Sequence, residues 1–243
     1  MGDVTIALRR AFHDLREARV LALALLPPLV AIVLCVALAW AWADDWARLV
    51  ADWIAGASWL AWVREWGMDS VLIWGSGIVV VAGLIPVMLI TAVVVTGILV
   101  MPVIVPLVGK RYYPRLEQRK GGTVAGSAWH ALATTLVFMA LWLVTLPLWL
   151  TGIGALVLPP LLSAYFNQRM FRYDALAEHA SAGEYEVVVR GSRGRLFLLG
   201  LLLAALYYVP LFNLLVPVLS GLAFTHFCLA ELERLRSAVI RGS

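Results

Sequence analysis

Cysteine is nearly absent from this chain. The two that occur, Cys35 and Cys228, each lie inside an apolar run and share no ligand-like spacing, which argues against a disulfide framework or a cysteine metal site and leaves structural thiols. Charge is just as scarce. Of 243 residues 14% are charged and 63% hydrophobic, a balance that soluble domains do not keep. Histidine adds no chemistry: His13, His130, His179 and His226 fall in different segments without metal-ligand spacing. His130 and His226 stand at the ends of apolar runs and read as interfacial residues rather than ligands or proton relays. Ser163, Ser220, Asn213 and Thr225 sit in no Gly-x-Ser-x-Gly, Walker or zincin pattern, so the chain is expected to be no enzyme and to need no cofactor or metal. No nucleic-acid motif occurs either. The net charge of +4 comes from arginine-rich loops and suits an anionic cytoplasmic leaflet.

What is present is apolar length, and it reads as an all-α polytopic membrane protein. The most informative run is Leu196 to Leu229. It is apolar enough for membrane but interrupted by Pro210 and Pro217, with Val209 and Val216 as natural break points. Leu196 to Val209 reaches about 21 Å at ~1.5 Å per residue, short of the ~30 Å of hydrocarbon. A helical hairpin, 196–229, that dips in and returns follows from this length. Arg193 and Arg195 before it and Arg234 and Arg236 after it put both ends on the cytoplasmic side. Two short full spans are the alternative.

From the start, Met1 to Arg19 is polar, and Ile6, Leu8, Phe12 and Leu15 allow an amphipathic helix on the membrane surface. Residues 20–42 form an uncharged run long enough for a first span, with Pro27 and Pro28 kinking it or setting its true start. A cleaved signal peptide competes, but the run is too long and too rich in tryptophan. Asp44 to Asp69 is the one acidic loop, expected on the far side. Eight of eleven tryptophans lie between Trp40 and Trp74. Trp46, Leu49, Val50, Trp53, Ala57 and Leu60 share a helical face, and Trp59, Trp62 and Trp66 continue the stripe. An interfacial helix explains them; an aromatic cage is the sharper alternative.

Residues 71–108 form a second uncharged run. Lys110, Arg111, Arg115, Arg119 and Lys120 follow at once, so one long crossing fits better than two, with Pro102 and Pro106 turning the chain toward the basic loop. Gly121 and Gly122 then read as a flexible joint. Residues 131–171 make a first hairpin, turning at Pro147 and Thr151-Gly152-Ile153-Gly154 between basic flanks, although these limbs are long enough for full spans. Asn167 to Arg195 reads as a solvated helix and turn. By this topology 17 of 19 Lys and Arg residues, and both termini, fall on the cytoplasmic side.

Leu26-Pro27-Pro28-Leu29-Val30, Gly152-Ile153-Gly154, Phe171-Arg172-Tyr173-Asp174 and Val209-Pro210-Leu211-Phe212-Asn213 together resemble the CysZ sulfate-permease family, grouped with etoposide-induced protein 2.4-like membrane proteins. The resemblance covers most of the chain as one integral-membrane domain, 1–243. It implies two long membrane helices plus two partly inserted hairpins, a homo-oligomer in the lipid of a bacterial inner membrane, and passage of sulfate. Relatives taken as sulfate permeases carry a glycine closely followed by paired arginines before the first membrane helix. Here Leu15 to Val20 has no glycine, and Glu17 lies between Arg16 and Arg19.

Arg16 and Arg19, three apart on a helix, are the expected pair for a tetrahedral oxyanion, with Asn213 along the path. Their ordinary role would be to orient the first helix and hold lipid headgroups. Half-helices starting after Gly154 and Asn213 would aim amides at the membrane interior; otherwise these residues only make turns. Two function classes remain, an anion permease and a membrane-organising or assembly protein without a transported solute.

Overall fold

The computed structural model describes residues 2–56, 69–119, 121–122, 124–149, 151–209 and 212–242. Among these the regular structure is helical: α1 (Gly2–Leu15), α2 (Ala18–Gly56), α3 (Asp69–Val95), a π-helical turn (Thr96–Val100), α4 (Met101–Tyr112), α5 (Val124–Trp149), α6 (Ile153–Ala177), α7 (Ala182–Gly191), α8 (Arg193–Ala205), a 3-10 turn (Leu206–Tyr208) and α9 (Phe212–Gly242). Four stretches among the described residues are long and apolar enough to cross a bilayer: Ala18–Trp42, Gly83–Tyr112, Gly126–Trp149 and Leu214–Arg241. The protein is a multi-pass, all-α membrane protein. The chain forms two compact units, Met1–Pro28 with Ala92–Ser243, and Leu29–Thr91.

Within the larger unit α9 is the central helix. Burial covers 78% of its most apolar stretch against 17% for that of α5, so α9 is sheathed by protein while α5 keeps most of its surface for lipid. Helices α1, α4, α6, α7 and α8 all pack on α9. Aromatic rings fill the gaps: Phe138 meets Phe166 at 4.7 Å and Phe171 stacks on Phe224 at 6.2 Å between centroids. Apolar surface gains little by leaving lipid for protein, so these contacts stabilise through close packing, which favours small residues where helices cross. Gly200 of α8 is such a point, since a Cβ there would lie 2.8 Å from the Ala164 carbonyl oxygen of α6.

The two helix pairs predicted at 131–171 and 196–229 are present as α5–α6 and α8–α9. At the first turn Gly152 adopts φ +71°, a left-handed conformation that suits glycine. The Thr151 hydroxyl donates to the Leu148 carbonyl at 2.7 Å and accepts from the Gly154 amide at 3.1 Å, tying the end of α5 to the start of α6. The turns are joined to each other as well. Tyr208 donates to the Leu156 carbonyl at 2.6 Å.

Prolines break the helices less than the sequence suggests. Pro27 and Pro28 lie inside α2, which starts nine residues before Pro27, at Ala18; the missing amides cost the helix its bonds to the Leu23 and Ala24 carbonyls without ending it. Pro28 is nevertheless the last residue of the larger unit before the chain leaves it. Val216 is not a break: Pro217 lies inside α9, buried, and the Asn213 carbonyl forgoes its helical donor. In the second crossing the irregularity lies before Pro102. The Met101 amide bonds to the Thr96 carbonyl, five residues back, widening the helix just ahead of a proline that cannot donate. Pro106 lies within α4. Pro210 lies outside the described residues.

Helix α1 packs on α9 through Val4, Ala7, Ala11, Asp14 and Leu15, where the two alanines allow a close approach, and leaves Ile6 of the expected membrane-facing stripe exposed. Two further expectations need correction. The separate interfacial helix is replaced, over 46–56, by the last turns of α2, since Ala43 to Ala55 holds no glycine or proline to stop it. Ala57, Leu60, Trp59, Trp62 and Trp66 lie outside the described residues, as does the side chain of Trp74. In the smaller unit Leu29, Val33, Val36 and Trp40 of α2 are exposed, as lipid-facing side chains are. Finally, Gly121 and Gly122 are close-packed rather than a flexible joint. Their amides donate to the Ala180 and Ala177 carbonyls at 3.0 Å each, and a Cβ on Gly121 would lie 2.3 Å from the Ala180 oxygen.

Candidate functional site

Helix α1 ends where its chain must turn. The Arg16 and Glu17 amides bond back to the His13 and Asp14 carbonyls, and α2 starts at Ala18. This leaves Asp14 in the last turn of α1, where the negative end of the helix dipole disfavours a carboxylate. The protein nevertheless buries it completely. Compensation comes from two other helices. His226 of α9 holds Asp14 Oδ2 through Nε2 at 2.8 Å, and the Tyr112 hydroxyl of α4 donates to Oδ1 at 2.6 Å. Burial pushes the Asp14 carboxyl up, but the His226 and Tyr112 hydrogen bonds outweigh it and hold the group below its ordinary range.

A second layer surrounds this centre. Arg111 pairs with Glu17 and stands 3.7 Å from Asp14. Tyr112 meets the His226 ring edge-on at 4.8 Å, and the Arg10 guanidinium lies 5.2 Å from the Tyr112 ring centre. Arg10 donates to the Tyr113 hydroxyl at 3.0 Å, which donates to the His226 carbonyl at 3.1 Å. Thus α1, α4 and α9 meet in one polar junction. Beside it a crevice of about 20 Å³ is lined by Asp3, Arg10, Tyr113, His226 and Arg234, among others, room for about one water. The buried His226 Nδ1 has no protein partner among the described residues. Asp3 extends the seam by bridging Arg195 and Arg234, which both also reach Glu231.

The structure places the predicted site residues as follows. Arg16 lies in the turn and Arg19 in the first turn of α2, so they do not share one helix as expected. Both are exposed, and neither has an ion-pair partner among the described residues. Glu17, between them, is drawn to Arg111. Asn213 is in the first turn of α9, and its side chain lies outside the described ones. Its neighbour Phe212 meets Phe12 of α1 edge-on, ring centroids 6.4 Å apart, so the α9 start and α1 are in contact. At the first turn the amides are largely occupied: Ile153 bonds to the Thr151 carbonyl, Gly154 to the Thr151 hydroxyl and Leu156 to the Gly152 carbonyl. Gly154 itself is demanded by closeness, as a Cβ would lie 1.9 Å from the Leu148 oxygen.

Sequence reasoning missed the Asp14–His226–Tyr112 junction. A carboxylate on the alanine face of α1 was the available signal, because Ala7, Ala11 and Asp14 fall at helical spacing. Among the described residues no group of three His, Cys, Asp or Glu side chains could hold a metal. A search of curated proteins and of solved structures gave no match. The model of the Sulfate transporter CysZ/Etoposide-induced protein 2.4 family matches residues 7–217, most of the 243-residue chain, and the chain belongs to that family.

Proposed function

We propose that this member of the family mediates passage of a small inorganic anion, sulfate foremost, across a bacterial inner membrane, as a homo-oligomer with both termini in the cytoplasm. The observation that carries the reading is the family match over residues 7–217. Local geometry supports recruitment at Arg16 and Arg19. Two exposed guanidinium groups flank the start of α2, the positive end of a long helix. Glu17 would otherwise oppose an anion there, but its charge is paired with Arg111. Arg–oxyanion hydrogen bonds are charge-assisted and strong enough to hold a tetrahedral ion at a wet surface.

Radiolabelled sulfate uptake into proteoliposomes tests the proposal. Wild type should exceed empty liposomes, and Arg16→Ala with Arg19→Ala should lower uptake about tenfold, a loss of ~1.4 kcal/mol in recruitment. Uptake that survives the double substitution keeps transport and removes this site. Protein that reconstitutes in oriented form but moves no sulfate leaves the membrane-organising reading instead.

A further inference from the structure

Asp174 has no role in the junction or in the proposed anion path. It lies near the end of α6, three residues past the apolar run that closes at Phe171, and is partly buried. Its Oδ2 lies 3.2 Å from the position a Cβ would take on Gly97. Gly97 is the second residue of the π-helical turn, so the carboxyl lies against backbone at the one place where the second crossing is widened. No hydrogen bond or ion pair reaches the Asp174 side chain from the described residues.

The charged groups nearby are engaged elsewhere. On its own helix Arg172 faces the Tyr185 hydroxyl of α7. His130 of α5 stacks on Tyr173 at 4.7 Å and bonds the Arg169 carbonyl. The second crossing carries no charge between Val71 and Val108, and Arg111 beyond it is committed to Glu17 and Asp14. On α9, His226 holds Asp14 and Glu231 holds Arg195 and Arg234.

An ionised carboxylate only accepts hydrogen bonds, whereas a protonated one also donates. Helix backbone next to Gly97 has its amides committed and carbonyl oxygens to offer, most of all where a π turn shifts the bonding register. We propose that Asp174 is a proton-binding site, neutral while it rests on the π turn at Gly97 and driven off that contact, or into water, when it ionises. Burial supports this by pushing its carboxyl up to about 7, with no neighbouring charge contributing. Protonation then controls how α6 seats against the widened turn, and a widened turn is where a helix yields most readily. The proposal does not depend on which solute the protein moves.

Infrared difference spectroscopy of the full chain in lipid, between acid and mildly alkaline pH, tests it. Wild type should show a protonated-carboxyl stretch that disappears with a midpoint near neutrality, and Asp174→Asn should lack it. Gly97→Ala, whose methyl would crowd the seated carboxyl, should move the midpoint downward. Should Asp174→Asn fail to fold, wild type carrying isotope-labelled aspartate replaces it, and the neutral-pH band should show the isotope shift. A wild-type spectrum in which every carboxyl titrates in the ordinary acidic range overturns the proposal. So does a neutral-pH band that survives Asp174→Asn or ignores the aspartate label.

Discussion

Single side chains far apart in sequence hold the loops between helices, and Glu184 is the clearest. It closes a capping box with Ser181 at the start of α7 and pairs with both Arg236 and Arg119. Arg236 reaches further, donating to the His179 and Glu117 carbonyls at 2.6 and 2.8 Å. The Arg236 hydrogen bond, opposed by burial, pulls the Glu184 carboxyl down to about 2 from an ordinary 4.5. A folded-state value below the unfolded one gives stability that is complete above about pH 4.5 and drains away as pH falls toward 2. Glu184→Gln should therefore lower stability at neutral pH by about 1–3 kcal/mol, and its thermal-unfolding gap from wild type should narrow between pH 5 and 3. A gap that does not change with pH would mean the carboxylate charge contributes nothing. Apart from the Ser181-x-x-Glu184 capping pattern, none of this was legible in the sequence. Arginines there report which side of the membrane a loop occupies, whereas their partners are set by how 119, 184 and 236 are brought together in space.

Elements were legible in their lengths and less so in their ends. Apolar runs at 20–42, 71–108, 131–171 and 196–229 coincide with long helices or helix pairs, because the bilayer fixes how much apolar chain is needed. Their irregularities were not, since whether a proline breaks a helix depends on what packs around the orphaned carbonyl. Pro217 inside buried α9 and the π turn ahead of Pro102 both show this. Glycine shows the same limit in reverse. Gly121-Gly122 carries a flexible composition, yet its amides form a short ladder on the end of α6, closed by the Arg119 amide on the His179 carbonyl at 3.4 Å. Gly121→Ala would press a methyl onto the Ala180 carbonyl and should cost about 1–3 kcal/mol, a strain penalty of the usual overpacking size. Gly183→Ala, in α7 with open space around it, should instead stabilise by up to ~1 kcal/mol through helix propensity. Melting temperatures of the two variants in one detergent decide the matter. Equal shifts would return Gly121 to the status of a plain linker.

At the scale of the whole molecule, unequal helix lengths set the demand for neighbours. Helix α9 has 31 residues, roughly 46 Å at 1.5 Å each, while α8 has 13 and reaches about 20 Å before the 3-10 turn adds ~6 Å. The α8 limb begins with Arg193 and Arg195, which belong at the interface, so its apolar part falls short of the ~30 Å hydrocarbon layer. Val209, at the end of that limb, has extended backbone at φ −92° and ψ 115°. Non-helical backbone at membrane depth persists where protein or water covers it, because lipid supplies no hydrogen bonds. Within the protomer Tyr208 secures the turn to Leu156, yet Tyr208 and Val209 remain exposed, as do Ile153 and Leu156 at the first turn. A second protomer is the expected cover for the turn. Light scattering or native mass spectrometry in mild detergent should therefore show more than one protomer. Ile153→Arg combined with Leu156→Arg should shift that population toward single chains, since a charge desolvated between protomers costs several kcal/mol. A stable wild-type monomer that still carries out sulfate uptake would remove the requirement for neighbours, and the two turns would then have to find their partners in water.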